Sequence, residues 1–317
     1  MVNGSYDVII IGGGAAGMTA AIYTCRKKLK TLIVTIDVGG QNLLTESEEN
    51  YPGYLEMSGP KLMQTFEQQA KKFGAEFVFG KANNVEKTEK GFRVSLANDE
   101  VYECRALILA YGKVPRTLGI PGEEKFLGRG VSTCVTCDAP IFKNKTVAVV
   151  GGGNSAMEAA ELLTKFATKT YLIHRRDAFR ADEVTVERVK KRKNVEFVLN
   201  SVPVEIKGNK FVSGIVVENV NTKQRRDIPV NGVFIEIGYI IDTSFVKDLV
   251  KINEANEIIV NNRCETTHPG IFAAGDVTDV PYKQTVISAG MGATAGLSAY
   301  NYIMKLEGRP GVKIDWS

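Results

Sequence analysis

Apolar residues run unbroken near the start of the chain in "VIII", residues 8–11, and the run stops at "GGG", residues 12–14. Alanine-rich sequence follows, "AAGMTAAIYTC". A β-branched run, a glycine turn and a helix-favouring stretch predict strand, turn and helix. The same order returns in "KTVAVVGGGNSAMEAAELLTKF", residues 145–166. Gly12 and Gly151 therefore open equivalent loops 139 residues apart, a duplication of architecture rather than a short repeat. "PGIFAAGDV" predicts another buried strand, ending at Gly275-Asp276.

Between the two units "AYGKVPRTLGIPGE" carries Gly112, Pro115, Gly119, Pro121 and Gly122, the composition of a linker. "GYIIDTSF", residues 238–245, is a second crossing. The second unit is thus expected to be inserted in the first. Residues 1–116 and 245–317 would form one domain and 117–244 the other. The expected fold class is α/β: two Rossmann-like, three-layer nucleotide-binding domains, with parallel sheets and nucleotides at the strand carboxyl ends.

The 317 residues are 44% hydrophobic and 24% charged, which suits a soluble chain of about two domains. A net charge of 40 − 36 = +4 is too mild for a nucleic-acid surface. Residues 8–25 carry no charge, but Gly12, Gly13, Gly14 and Gly17 interrupt them. Residues 284–304 are also uncharged, and Gln284, Ser288, Thr294 and Asn301 break their apolarity. A buried helix is expected there rather than a membrane span. No basic residue precedes residue 8 and Asp7 is acidic, so no secretory signal is expected and cytoplasm is the expected compartment. Five cysteines are too few for a secreted disulfide scaffold.

Gly12, Gly14 and Gly17 form G-x-G-x-x-G after a strand and before a helix. That arrangement allows a tight turn, close approach of a pyrophosphate, and helix–strand packing. An acid near the end of the second strand would meet the ribose. Asp37 is one candidate, placed slightly past the expected strand end, and Thr35 is the rival. Gly151, Gly153 and Ala156 form the second loop, and Arg175, Arg176 and Arg180 follow the next strand. Guanidinium forks there suit a ribose 2′-phosphate, which favours NADPH over NADH; a solvated basic loop is the bland alternative. Cys134 and Cys137 are spaced for a reversible disulfide, or are two spare thiols. Zinc would need two more ligands at similar spacing, whereas Cys25, Cys104, Cys264, His174 and His268 are scattered, so no metal is expected. Asp138 is either a turn residue or a proton shuttle beside a redox pair.

"GGGAAG", "GGQ" (39–41), "NYPG" (50–53), "IPGE", "CVTCDA", "GGGNSAMEAA", "HRRDAFRA", "GIFAAGDV" and "YKQTVISAGMGATA" follow one another in an order and spacing that covers nearly the whole chain. In this the chain resembles the low-molecular-weight thioredoxin reductases. The resemblance implies that the first domain binds FAD through Gly12, Gly14, Ala15, Ala16 and Gly17. It adds the 35–41 stretch, with Thr35, Asp37, Gly40 and Gln41, and then Asn50. Later contacts would be Asp276 at the ribitol, Lys283, and Gln284 and Thr285 at the flavin near a helix N-terminus. NADPH would be held by Gly153, Asn154, Ser155, Ala156 and Glu158, and by His174, Arg175, Arg176 and Arg180.

The resemblance also implies a route for electrons, from NADPH to FAD, to a Cys134–Cys137 disulfide, and on to thioredoxin or a similar small dithiol protein. Cys134 would attack the partner, Cys137 would contact the flavin, and Asp138 would be the acid/base. A homodimer is implied as well. Because the disulfide and the nicotinamide loop share one domain and serve one flavin, hinge motion at the two crossings is expected. Three positions depart from the usual pattern: Tyr111 for Thr, Ala139 for Gly, and Ile241-Asp242 for Pro-Asn. The first and third are expected to bear on domain motion, and Ala139 on access to the disulfide. Flavin reductases of peroxiredoxin systems share this core and usually carry a long N-terminal thioredoxin-like extension that this sequence does not show; they are the enzymatic alternative. A non-catalytic flavoprotein redox sensor is the alternative of another class, and intact Cys134, Cys137, Asp138 and glycine loops favour an enzyme over it.

Overall fold

In the computed structural model, which describes residues 2–44, 48 and 50–312 (backbone alone at Leu44, Thr136 and Cys137), the opening apolar run forms β1 (Gly4–Gly13). Val8 and Ile10 point into one core and Ile9 and Ile11 into another. That is why the run is continuous rather than alternating: both faces of the strand are covered, and each buried isoleucine contributes roughly 1.5–3 kcal/mol. The chain continues through α1 (Ala15–Arg26), β2 (Thr31–Val38), α2 (Gly59–Lys72), β3 (Glu76–Phe79), β4 (Ala82–Thr88), β5 (Gly91–Leu96) and β6 (Val101–Leu109). Their sheet order is β3-β2-β1-β6-β5-β4, parallel from β3 to β6 and antiparallel beyond.

After β7 (Val114–Pro115) come β8 (Val131–Ser132), the one-turn α3 (Val135–Asp138), β9 (Thr146–Gly151), α4 (Asn154–Leu163), β10 (Lys169–Ile173), α5 (Glu183–Lys190) and β11 (Val195–Val198). Then follow β12 (Ser201–Gly208), β13 (Val212–Asn219), β14 (Arg225–Ile228), β15 (Gly232–Glu236) and β16 (Tyr239–Ile240). The parallel sheet here is β11-β10-β9-β15-β8. In β9, Val147 and Val149 face a core shared with α4 and α5, while Ala148 and Val150 face the β12-β13-β14 meander. The third layer is thus a small antiparallel sheet.

The chain then returns through β17 (Ile271–Ala273), which pairs with β6, and its last described helix is α6 (Thr285–Leu306). The uncharged 284–304 stretch forms most of this helix. Ala289, Gly292, Ala295, Gly296, Ala299 and Ile303 make its buried face against the first unit's core. Among the described residues no helix is long and apolar enough to cross a membrane.

The chain divides into two compact units, one of residues up to Val114 and from Ile241 onward, the other Pro115–Ile240. The crossings fall two and four residues before those expected (116 − 114 and 244 − 240). Arg116 explains the first. Its N–H donates to Gly238 O at 2.9 Å and its Nε–H to Tyr239 O at 3.2 Å, so both ends of the second unit are tied together. Ile241 explains the second, because it is already buried in the first unit's core.

Candidate functional site

In the first unit the β1–α1 turn is built on glycine. Gly12 adopts φ +115°, and a Cβ there would collide with the Ala110 carbonyl. A Cβ at Gly17 would collide with Gly12 O, so the helix closes on the turn only without a side chain. Gly14 is different: its Cβ would find nothing nearer than Gly39 O at 3.9 Å, so this side of the loop stays open. Gly14 caps α1 with no side-chain hydrogen bond, and no acid lies in the first turn. The amides around Ala15, Ala16 and Gly17 therefore present an anion-binding end.

Asp37 lies inside β2 rather than past its end. The ladder resumes after a register shift, with Gly13 opposite Val38, and this carries the strand onward. Thr35 is buried and spent locally: it accepts from Gly13 N–H at 2.9 Å and donates to Asp37 O. Asp37 Oδ1 accepts from Gly40 N–H at 2.7 Å, and the side chain is half-buried. Of the two rivals, Asp37 keeps the more accessible polar group.

The same sheet edge gathers the late residues. Asp276 follows β17, with Ser288 Oγ 3.3 Å and Lys113 Nζ 3.7 Å from its carboxylate. Asn50 Nδ2 donates to Gln284 Oε1 at 3.0 Å, and Gln284 caps α6 without a side-chain bond. Thr285 Oγ1 donates to Asn42 Oδ1 at 2.6 Å. Gln41 lies half-buried in the 3-10 helix Gly40–Leu44. Lys283 Nζ pairs with Glu257 at 2.8 Å and donates to the carbonyls of Asp276 and Thr278.

In the second unit Gly153 caps α4 with no side-chain hydrogen bond, no acid in the first turn, and open space where its Cβ would be. Asn154, Ser155 and Glu158 are exposed around it, and Ala156 is buried beneath. The segment after β10 folds back onto this loop. Arg180 N–H donates to Gly152 O at 2.9 Å, and Asp182 N–H to Asn154 Oδ1 at 2.8 Å. His174 packs its ring where a Gly152 side chain would be, stacks on Phe179, and bonds Ala178 O through Nε2. Burial, together with the charges of Arg175, Arg176 and Arg180, lowers its pKa, so the imidazole is neutral near pH 7. All three arginines are exposed and near enough to act on it. Glu236, paired with Gly151 at the end of β15, is pushed up to about 7 by burial and then by the charge of Glu158.

Cys134 is disulfide-bonded and half-buried, between β8 and α3. Its N–H donates to Ser132 Oγ at 3.0 Å, and its carbonyl accepts from Ser132 Oγ–H at 3.1 Å and Asp138 N–H at 3.2 Å. The side chain of Cys137 lies outside the described residues. Asp138 is half-buried at the end of α3. Cys25, Cys104 and Cys264 are free and buried. Ala139 is buried in the core with Phe142 and Met157, so its methyl is taken up by packing. Tyr111 packs on Phe245, with its hydroxyl buried and without a hydrogen-bond partner among the described residues.

Glu48, Asn42, Ser288 and Glu236 join these sites without having been singled out from sequence. Glu48 in "ESEEN" reads as one of several surface acids, and Glu236 ends an apolar strand as a lone acid.

Residues 6–293 match the family described as pyridine nucleotide-disulphide oxidoreductase. The chain is similar to the thioredoxin reductase of Lactococcus lactis (FR conformation), with 39% identity, TM-score 0.79, and coverage of 95% of this chain and 99% of that one. It is also similar to the thioredoxin reductase of T. acidophilum, with 34% identity, TM-score 0.77, and the same two coverages. An alkyl hydroperoxide reductase protein of Staphylococcus epidermidis is 40% identical over 301 residues, which is 95% of this chain and 59% of that protein. The chain thus spans about three fifths of the length of the curated relatives it matches.

Proposed function

The chain belongs to the pyridine nucleotide-disulphide oxidoreductase family, and from that premise we propose that it is an FAD-containing, NADPH-dependent thioredoxin-disulfide reductase. One observation carries the reading: a chain with two uncapped glycine-loop helices also holds a disulfide-bonded Cys134, in the unit that carries the arginines. The residues present fit FAD. The open face at Gly14, the uncapped N-termini of α1 and α6, and a buried carboxyl oxygen of Glu48 without a partner among the described residues are all unmet needs in one unit.

Bound FAD supplies the two-electron relay between nicotinamide and disulfide. The amides of Ala15, Ala16 and Gly17 would hold its pyrophosphate, and Asp37 and Asp276 would take ribose and ribitol hydroxyls. Gly40, Gln41, Asn50, Gln284 and Thr285 line the ring end. NADPH would be held by Gly153, Asn154, Ser155 and Ala156, with Arg175, Arg176 and Arg180 reaching its 2′-phosphate. Neutral His174 supports the loop by filling the space over Gly152. The net reaction takes NADPH, one proton and a partner disulfide to NADP⁺ and a partner dithiol. Cys134 attacks the partner disulfide as a thiolate, and a mixed disulfide forms as one partner sulfur leaves. Asp138 delivers the proton to that leaving sulfur. Cys137 then attacks Cys134 to release the second partner sulfur.

The second reading is a peroxiredoxin-system reductase, which the relatives that carry the alkyl hydroperoxide reductase name favour. Turnover with NADPH against thioredoxin and against a peroxiredoxin from the same cell separates the two. Catalytic reduction of thioredoxin is expected. Reduction of the peroxiredoxin with thioredoxin left oxidised overturns the partner assignment.

A further inference from the structure

Glu48 is 6% exposed, and its Oε2 is buried with no hydrogen-bond partner among the described residues. Folded proteins rarely leave such an atom unpaired. Its other oxygen lies 3.4 Å from Thr285 Oγ1, whose proton goes to the nearer Asn42 Oδ1 at 2.6 Å. Thr285 opens α6, where Gln284 provides no side-chain cap and no acid lies in the first turn. An orphan carboxyl oxygen and uncapped amides therefore meet at one place.

That place stands at a defined distance along the unit. Gly292 packs on the Ala16 carbonyl, beside the Gly12–Gly17 loop. Thr285 precedes it by seven residues, roughly 10 Å of helix rise. A ribityl arm separates pyrophosphate from flavin ring by a comparable reach. Glu48 thus sits at the ring end of the site, while the glycine loop sits at the phosphate end.

We propose that the ring of bound FAD is the partner Glu48 Oε2 lacks, so that Glu48 is a flavin-contact residue setting how tightly the ring is held and how readily it is reduced. The proposal rests on the reading that the first unit binds FAD. An isoalloxazine edge offers carbonyl acceptors around an N–H donor, so it can meet a carboxyl in either protonation state. Burial raises the Glu48 pKa, against a smaller opposite effect of Thr285. Of the groups around it, Asn42 and Thr285 do not titrate, and Tyr51 is a titratable neighbour that feels its charge. A neutral carboxyl can donate to the ring. An ionised one repels the electrons the ring must take up.

The test is the affinity of the apoprotein for FAD and the midpoint potential of the bound FAD, followed across the neutral pH range in wild type, Glu48→Leu and Glu48→Gln. Glu48→Leu is expected to weaken FAD binding about tenfold, the scale of losing a buried hydrogen bond, and to shift the potential. Glu48→Gln keeps the shape and the ability to donate but cannot ionise. It is expected to bind FAD as wild type does, and the wild-type potential is expected to fall below that of Glu48→Gln as pH rises. Wild-type affinity and wild-type potential in both variants at every pH overturn the proposal. A wild-type protein that takes up no FAD overturns the reading on which it rests, and shows this before any variant is made.

Discussion

Arg175 and Arg176 stand where a carboxylate would serve NADH, and their planar forks suit a phosphate. Each charge-assisted contact to the 2′-phosphate is worth roughly 1.5–3 kcal/mol. Arg175→Ala with Arg176→Ala is therefore expected to raise KM for NADPH about tenfold or more while leaving NADH kinetics nearly unchanged. Equal losses with both nucleotides would mean that the arginines support the loop and do not read the phosphate. Glu236 yields a pH prediction. Its carboxyl titrates near 4.5 in the unfolded chain and about 7 in the folded protein. Between those values the unfolded state releases its proton first, so folding stability falls as pH rises, and the loss is complete above about pH 7. Glu236→Gln removes this penalty. It is expected to be more stable than wild type at pH 8 by on the order of 2 kcal/mol after allowing for solvent screening, and to converge on wild type toward pH 4. Urea unfolding at the two pH values measures it, and an advantage that is the same at both rules out the ionisation of Glu236 as its source.

The contact between α1 and α6 would join the proposed phosphate end of the FAD site to its proposed ring end. Gly292 and Gly296 let the α6 backbone approach Ala16 and Ala20, and a Cβ at Gly292 would collide with the Ala16 carbonyl. Gly292→Leu should push the helices apart at a cost of roughly 1–3 kcal/mol. It should also lower the flavin-to-protein absorbance ratio, because both helix N-termini lose their registration. An unchanged unfolding midpoint and flavin content would show that the crossing does not set the site. This contact was only half legible in the sequence. An uncharged stretch from 284 to 304 predicts a buried helix, but its small residues say nothing of which helix they meet. The apolar runs of β1 and β9 were legible because both faces of each strand are buried. The β12-β13-β14 layer was not, since alternating strands there carry polar faces that read equally as loops. The place of Asp37 inside β2 was not legible, because the strand reaches it through a register shift that no local pattern announces.

At the scale of the whole molecule the insertion was legible from two similar loops separated by glycine- and proline-rich sequence. Its ends were less so, because Ile241 looks like linker and is core. On the proposed reading the chemistry is divided between the units: the proposed flavin contacts lie in residues up to Val114 and from Ile241 onward, and the proposed nicotinamide contacts and Cys134 in Pro115–Ile240. The account requires that electrons entering at the arginine-bearing loop leave at Cys134 by way of flavin held in the other unit. Anaerobic titration of the FAD-loaded protein with NADPH, followed by alkylation and mass mapping of the cysteines, tests this most directly. The account predicts that the yellow absorbance bleaches and that Cys134 becomes alkylated, whereas the same protein stripped of FAD leaves Cys134 unlabelled. Bleaching with Cys134 still oxidised, or labelling of Cys134 without FAD, would contradict it.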